Sequence, residues 1–342
     1  MERCIRLALN GLGRTYPNPL VGCVIVHNGK IIGEGWHQKA GEPHAEVNAI
    51  NSVKDESLLP ESTLYVNLEP CSHRGRTPPC SDLIVRKKIK NVVIGSVDYN
   101  SQVYGKGIDH LKKHGCNVIV GIKEKECYEL NKRFFTFHKK KRPYIILKWA
   151  ETRDGFIFPD KKDEEGVAKP VWITNKYSLQ KVHQLRANEQ SILVGFNTAK
   201  IDNPRLNLRD YFGKDPLRLL IDKNLKTSAD SYLLDRKTKT VVFNAIKDKN
   251  IDKNLIYIKL DFSEDVPRQI VKYLYEQEIQ SLIVEGGAVT LQSFIEEGLW
   301  DEAWIFTGDV SFQKGLKAPV LEGNLKERIP IVNDELRIYT ND

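Results

Sequence analysis

Apolar positions along the first 140 residues follow two alternating periods. Cys4 to Leu9 spaces them as a helix does, and Gly11 and Gly13 end the run. Leu20 to Val26 and Lys30 to Gly35 are β-rich runs around His27-Asn28-Gly29, and Asn-Gly between two such runs predicts a hairpin. The pattern then predicts helices over 45–52, 81–88 and 107–114, strands over 63–68, 91–97 and 117–122, and one closing helix over 125–139. Phe137-His138-Lys139-Lys140-Lys141-Arg142-Pro143 breaks the pattern and reads as a solvated linker, because isolated charge runs usually face water. It divides the chain into domains 1–141 and 142–342. Tyr144 to Ala150 opens a new strand. Predicted strands over 191–195, 217–221, 240–243 and 281–285 then alternate with helices over 178–186, 266–276 and 288–297. Such alternation implies a mostly parallel sheet with helices on its faces. Beyond Gly308 motifs thin out, and no site is assigned there.

Composition narrows the class. With 342 residues, 41% hydrophobic and 28% charged, the chain reads as a globular α/β protein of two domains. No apolar run is long enough for a bilayer, and Met1-Glu2-Arg3-Cys4 begins a helical pattern rather than a signal peptide. A cytoplasmic enzyme with no membrane partner is expected. The net charge of +7 comes from dispersed Lys and Arg apart from residues 139–142. That distribution suits phosphorylated small-molecule substrates, and nucleic acid is not expected as a partner. The six cysteines show no pairing framework. Cys4, Cys23, Cys116 and Cys127 lie in apolar-periodic segments and are expected as buried thiols in a reducing compartment.

The remaining two cysteines carry chemistry. His44-Ala45-Glu46 precedes Glu69-Pro70-Cys71-Ser72-His73-Arg74-Gly75-Arg76-Thr77-Pro78-Pro79-Cys80. One imidazole, two thiolates and a carboxylate two residues after the imidazole are the parts of a zinc deaminase. His44, Cys71 and Cys80 would hold Zn²⁺, and Glu46 would shuttle protons. Two thiolates and a neutral imidazole leave the ion near neutral charge, so a water in the fourth position can ionise near pH 7. The predicted helices put His44 and Cys80 at two helix starts, where anions are stabilised. Eight residues separate the cysteines, against two in the usual pattern. His73 therefore competes as a fourth ligand, and with Arg74 and Arg76 it is also suited to phosphate or ribose.

The wide loop, together with Pro17-Asn18-Pro19-Leu20-Val21-Gly22 and Gly41-Glu42-Pro43-His44-Ala45-Glu46-Val47, closely resembles the bifunctional riboflavin-biosynthesis deaminase/reductase family. In the second half Asp154-Gly155, Trp172-Ile173-Thr174, Leu185-Arg186, Asp202-Asn203-Pro204-Arg205-Leu206 and Val284-Glu285-Gly286-Gly287-Ala288 continue the resemblance. It implies an N-terminal cytidine-deaminase-like α/β/α sandwich with zinc and a C-terminal dihydrofolate-reductase-like α/β domain using NADPH. It implies Asn18, His73 and Arg76 as deaminase substrate contacts. Around the dinucleotide it implies Ala150, Trp172, Thr198, Asp202 and the run Gly287, Ala288, Val289, Thr290, Leu291, Gln292 and Ser293. Around the sugar-phosphate it implies Arg186, Leu206, Arg209 and Glu285, with Lys148 on the same strand end. The implied reactions are deamination of a phosphoribosylated diaminopyrimidine and reduction of its ribosyl chain to ribityl, by a homo-oligomer (dimer or tetramer).

From the residues alone, the Gly-Gly strand–helix turn at 286–287 is a phosphate cradle or a plain turn, and no GxGxxG occurs. Arg153 replaces the family's usual Leu, a charged insertion spans Asp160 to Lys169, and Pro170 stands where the family commonly offers the substrate a hydroxyl. Two other classes share parts of the pattern. A tRNA or nucleic-acid deaminase would leave the second half unexplained, and a zinc-stabilised binding module would use His73 to close the metal site.

Overall fold

The computed structural model of the chain describes residues 1–72, 78–100, 104–160, 171–209 and 211–341. They fall into two units, 1–142 and 143–342, each with its own main sheet.

The first unit runs α1 (Glu2–Leu9), β1 (Gly22–His27), β2 (Lys30–Trp36), α2 (Ala45–Asn51), β3 (Thr63–Leu68), α3 (Cys80–Arg86), β4 (Asn91–Ser96), α4 (Lys106–Lys113), β5 (Asn117–Val120), α5 (Glu124–Leu130) and α6 (Lys132–Lys140). Its strands lie in the order β2-β1-β3-β4-β5, with β1 antiparallel to both neighbours and β3, β4 and β5 parallel. Asn28 and Gly29 close the hairpin at φ +47° and +73°, the left-handed pair that a tight hairpin turn requires. Alternation along β1 sorts its side chains into two layers. Cys23 and Ile25 pack with Ala49 and Ile50 of α2, Ile84 of α3 and Ile108 and Leu111 of α4. Val24 turns the other way, onto Cys4 and Leu7 of α1. On that second face α5 approaches closely, since a Cβ on Gly95 would lie within 2.3 Å of the Cys127 sulfur. The sandwich has three layers.

Three expectations need correction here, the first being that the stretch 137–143, read as a solvated linker, is helical as far as Lys140 and buries Phe137. The closing helix over 125–139 is two helices, α5 and α6, broken at Asn131 (φ −104°, ψ 17°). The side chain of Asn131 is drawn away to the backbone of Leu20, accepting from its N–H at 2.8 Å and donating to its C=O at 2.9 Å. Cys4, Cys23 and Cys127 are buried thiols, but Cys116 is only half-buried, on the turn that leads into the exposed edge strand β5.

The second unit runs β6 (Tyr144–Thr152), β7 (Phe156–Pro159), α7 (Lys176–Asn188), β8 (Ser191–Gly195), α8 (Phe196–Asp202), β9 (Leu217–Ile221), β10 (Thr240–Asn244), β11 (Lys249–Asp252), β12 (Leu255–Lys259), α9 (Val266–Glu276), β13 (Ser281–Glu285), α10 (Ala288–Glu296), β14 (Glu302–Gly308), β15 (Gly315–Lys317), β16 (Asn324–Ile331) and β17 (Asp334–Thr340). Ten strands form one sheet in the order β11-β12-β10-β9-β8-β13-β6-β14-β17-β16. From β12 to β14 every pairing is parallel, and antiparallel strands close both edges. Strands buried on both faces explain the near-continuous apolar runs there. Ile145, Leu147, Leu282 and Val284 meet Ile270 and Leu274 of α9 and Leu291 and Phe294 of α10. Tyr144, Ile146 and Ile283 meet Leu185 of α7 and Ala199 of α8. The chain steps outward from β6 through β8 and β9, then returns to set β13 between β8 and β6. In open parallel sheets a ligand crevice lies at the carboxyl ends of the strands around such a switch.

Candidate active sites

In the first unit, His44 is the residue before α2 and keeps an extended backbone (φ −70°, ψ 164°). Cys71 follows β3, and Cys80 is the first residue of α3. His44 Nδ1 lies 3.6 Å from Cys71 Sγ and 3.4 Å from Cys80 Sγ, and the three donor atoms all lie within 4.8 Å of one another. A tetrahedral zinc ion, with bonds of about 2.3 Å to sulfur and 2.0 Å to nitrogen, sets such donors about 3.5 Å apart. The donor set fits that ion. Among the described residues this is the one such group of His, Cys, Asp and Glu.

The backbone prepares the Cys71 sulfur for negative charge. Cys80 N–H donates to Cys71 Sγ at 3.4 Å, and Ser81 N–H to the Cys71 carbonyl at 3.1 Å. The Cys71 thiol is drawn down to about 4 by hydrogen bonds from Cys80 first and then His44, against the opposing effect of burial. Cys80 moves the other way, well above its ordinary range, as the partner that keeps the shared proton. Glu46 sits in the first turn of α2 and is buried. Burial, then the Cys71 charge, lift its carboxyl to about 7.

Around this centre the structure adds residues that no motif signalled. His37, buried at the end of the hairpin, accepts on Nε2 from Asn18 Nδ2 at 3.0 Å while its Nδ1 donates to the Pro43 carbonyl at 3.1 Å. Desolvation lowers its pKa, which favours this neutral tautomer. Its ring meets that of His44 edge-on at 5.5 Å. The only sequence signal was a lone histidine two residues past the strand predicted over 30–35. Glu69 is buried, and its carboxylate accepts four backbone N–H groups, from Asp98, Gly105, Gly107 and Ile108. It ties the segment that carries Cys71 to the loop after β4. Asp98 in that loop is buried, and its carboxyl rises to about 6 through desolvation, then the Glu69 and Cys71 charges. His73, Arg74 and Arg76 lie outside the described residues.

The second site forms at the switch in the ten-stranded sheet. Lys148 and Glu285 are register partners on β6 and β13, and Lys148 Nζ donates to Glu285 Oε1 at 3.0 Å. Arg186 of α7 binds the same carboxylate through both oxygens, at 2.8 and 3.2 Å. Burial alone would raise Glu285, but the Arg186 and then the Lys148 charges overcome it and hold the carboxyl at about 2. Asp202 ends α8, and its carboxyl is raised by desolvation first and the Glu285 charge second. The residue as a whole is exposed.

Two helices, α8 and α10, start directly after or just beyond the adjacent strands β8 and β13, and neither has a side-chain cap. Their first N–H groups are left for another acceptor. Gly286 and Gly287 stand at φ +113° and +57°. A Cβ on Gly286 would lie 2.8 Å from Thr198 Cγ2, and one on Gly195 would lie 2.5 Å from Thr290 Oγ1. The cradle thus closes only with glycine, and it fits a pyrophosphate. Val289 is 80% exposed and Trp172 69%, whereas Leu291 is a core residue. Gln292 accepts the Val320 N–H at 3.3 Å, and Ser293 donates to the Thr290 carbonyl. Ala150 is half-buried on β6, and Arg209 is exposed. The Leu206 side chain belongs to the core, with its backbone in the left-handed region at φ +53°. Pro170 and the insertion beyond Asp160 lie outside the described residues. Arg218, which sequence reasoning missed, joins the loop from Asn203 to Arg209, at Arg205, to the segment 232–238. Its buried guanidinium donates to the carbonyls of Arg205 (3.4 Å), Tyr232 (2.7 Å) and Thr238 (2.7 Å) and to Asp235 (2.9 Å).

Comparison with known proteins agrees with both halves. Residues 1–96 match the cytidine and deoxycytidylate deaminase zinc-binding region, and residues 143–310 match the RibD C-terminal domain. The riboflavin biosynthesis protein RibD of Aquifex aeolicus is 40% identical over 92% of this chain and 88% of its own length. The RibD protein of Escherichia coli K12 is 32% identical over 90% and 86%. A Thermotoga maritima crystal structure, described as a diaminohydroxyphosphoribosylaminopyrimidine deaminase/5-amino-6-(5-phosphoribosylamino)uracil reductase, superposes with a TM-score of 0.89. It shares 36% identity, covering 99% of this chain and 97% of that one. An Acinetobacter baumannii RibD structure gives 0.88 at 31% identity, with the same coverage.

Proposed function

The chain belongs to the RibD family of riboflavin-biosynthesis enzymes, a deaminase joined to a reductase, and from that premise we propose the two substrates and the residues that act on them. The first unit hydrolyses the 2-amino group of 2,5-diamino-6-(5-phosphoribosylamino)pyrimidin-4(3H)-one. The second reduces the ribosyl chain with NADPH to give 5-amino-6-(5-phosphoribitylamino)uracil.

The observation that carries the first step is the convergence of His44 Nδ1, Cys71 Sγ and Cys80 Sγ, with buried Glu46 in the adjoining helical turn. These three atoms would hold zinc, which when bound supplies Lewis acidity and an acidified water. Near neutral pH a carboxyl lifted towards 7 exists in both protonation states. A bound cation would draw it down from there. Glu46 therefore takes a proton at a carboxylate oxygen and returns it to the departing amine nitrogen. In sum, one water is consumed, the exocyclic C–N bond breaks, ammonia leaves and a carbonyl remains. Asn18, oriented by His37, would contact the pyrimidine, and His73 and Arg76 the ribose phosphate.

In the second unit, the Gly286-Gly287 turn and the start of α10 would seat the pyrophosphate of the nicotinamide cofactor. Ala150, Trp172, Thr198 and Asp202 would border its remaining parts. Glu285 holds Lys148 and Arg186 side by side. Lys148 would orient the sugar and Arg186, with Arg209, the phosphate. NADPH, when bound, would supply hydride to sugar C1 in the opened or imine form, with a proton from solvent completing the reduction, and the protein mainly positions the two partners.

Mass spectrometry of the ribotide after incubation with the zinc-loaded chain tests both steps. Exchange of an amine for a carbonyl is expected without NADPH, and a further gain of two hydrogens with it. No change in either condition would overturn the proposal, and exchange without the hydrogen gain would overturn its second half.

A further inference from the structure

Leu20 lies two residues after Asn18, and strand pairing does not reach it. β1 begins at Gly22, and its pairing with β3 begins at Cys23 opposite Val66. A buried backbone N–H and C=O left there without partners would be costly. Two side chains from distant parts of the fold supply them. Asn131, at the break between α5 and α6, accepts from Leu20 N–H at 2.8 Å and donates to Leu20 C=O at 2.9 Å. Asn67 of β3 donates to the same carbonyl at 2.9 Å and accepts from Gly22 N–H at 2.6 Å. Both asparagines are buried, and the Leu20 side chain packs against Ala8 and Leu130. The far end of the loop is fixed as well, because Asn18 N–H donates to the Thr15 carbonyl at 2.8 Å. Pro19 restricts the one residue between the clamped Leu20 and Asn18.

An asparagine that merely stopped a helix would have no need to meet both polar groups of one residue 111 positions away. The bidentate contact explains why the closing segment is broken at that point. We propose that Asn131 is a positioning residue of the deaminase site, which sets the reach of the Asn18 amide through the backbone of Leu20, with Asn67 as the second jaw. This rests on the reading of Asn18 as a substrate contact.

The test is a double-mutant cycle in the full chain, reading deaminase kinetics on the diaminopyrimidine ribotide without NADPH, together with zinc per chain. Asn18→Ala is expected to raise KM on the order of tenfold, the equivalent of one lost hydrogen bond. Asn131→Asp keeps an acceptor for the Leu20 N–H but sets a carboxylate against the Leu20 carbonyl. It is expected to raise KM by a similar factor, with zinc content unchanged and kcat within about twofold. The double variant should be no worse than Asn18→Ala alone, because both changes remove one interaction. Factors that multiply would overturn the inference, as would a normal KM in the Asn131 variant. Loss of zinc in both Asn131→Asp and Asn131→Ala would also overturn it, since Asn131 would then support the fold as a whole. A normal KM in Asn18→Ala would remove the reading of Asn18 itself, and this inference with it.

Discussion

In the first unit three donor atoms from residues 44, 71 and 80 lie within 4.8 Å of one another. In the second, Lys148 and Glu285 meet across 137 positions and Arg186 joins them from a third element. The first site depends on atom type: a metal site needs nitrogen and sulfur donors and a proton carrier beside them. The second depends on shape, with strand ends set side by side, glycines where no Cβ fits, and helix starts left uncapped. A site of the first kind should fail when one functional group changes with the backbone intact. A site of the second kind should fail when the backbone is perturbed or its buried charges lose balance.

The largest separation between the two should come from Glu46→Gln, which preserves shape and removes the proposed proton carrier. Deamination should fall by about 10³-fold, within the usual range for general acid–base groups. Zinc per chain and reduction of the pre-deaminated ribotide should stay unchanged. A deaminase that kept its rate would remove Glu46 from the mechanism.

Acid should act next, and on the second unit. The folded Glu285 carboxyl sits at about 2, below its ordinary 4.5. A depressed carboxyl contributes stability that is fully present above the ordinary value and is lost as pH falls through the folded one. The difference is worth about 3 kcal/mol. Four of the five tryptophans, Trp149, Trp172, Trp300 and Trp304, lie in the second unit. Urea unfolding followed by their fluorescence should therefore weaken between pH 4.5 and 2, and the trend should flatten in Glu285→Gln. Equal acid sensitivity in both proteins would place the dominant carboxylate elsewhere.

Gly286→Ala should have the smallest effect and the most selective one. Its Cβ would stand 2.8 Å from Thr198 Cγ2 on a backbone at φ +113°, a strain of about 1–3 kcal/mol. The KM for the nicotinamide cofactor should rise about tenfold or more, with deamination untouched. A change in deamination instead would break the separation of the two sites.

The same contrast decides what could be read from the residues before the fold was known. His44, Glu46, Cys71 and Cys80 could be singled out because metal chemistry restricts residue type and order, and the structure brings the three donors together with Glu46 buried in the adjoining turn. The hairpin was legible at Asn28-Gly29, and the parallel core from its apolar runs. His37 and Glu69 were not, since a histidine after a strand and an acid before a proline take their meaning only from what packs against them. The break at Asn131 was hidden for a related reason: local periodicity favours one helix, and the competing contact lies over a hundred residues away. In the second unit the short α8 carries little periodicity of its own, and its position follows from the strands β8 and β9 that it packs against.

The placement of β13 between β8 and β6 has a consequence for synthesis at the ribosome. The first unit needs nothing beyond residue 142 for its sheet, so His44, Cys71 and Cys80 can come together while the rest of the chain is still being made. The second sheet is different, because β6 and β8 are made with an empty lane between them. That lane is filled only when residues 281–285 emerge, bringing Glu285 to Lys148 and Arg186 in the same event. Until then β6 has no partner on either side, since β14 is made later still, and two uncompensated cations stand exposed. The nascent second unit should therefore depend more on chaperones than the first, with the arrival of β13 and then β14 on either side of β6 as the steps that end that dependence.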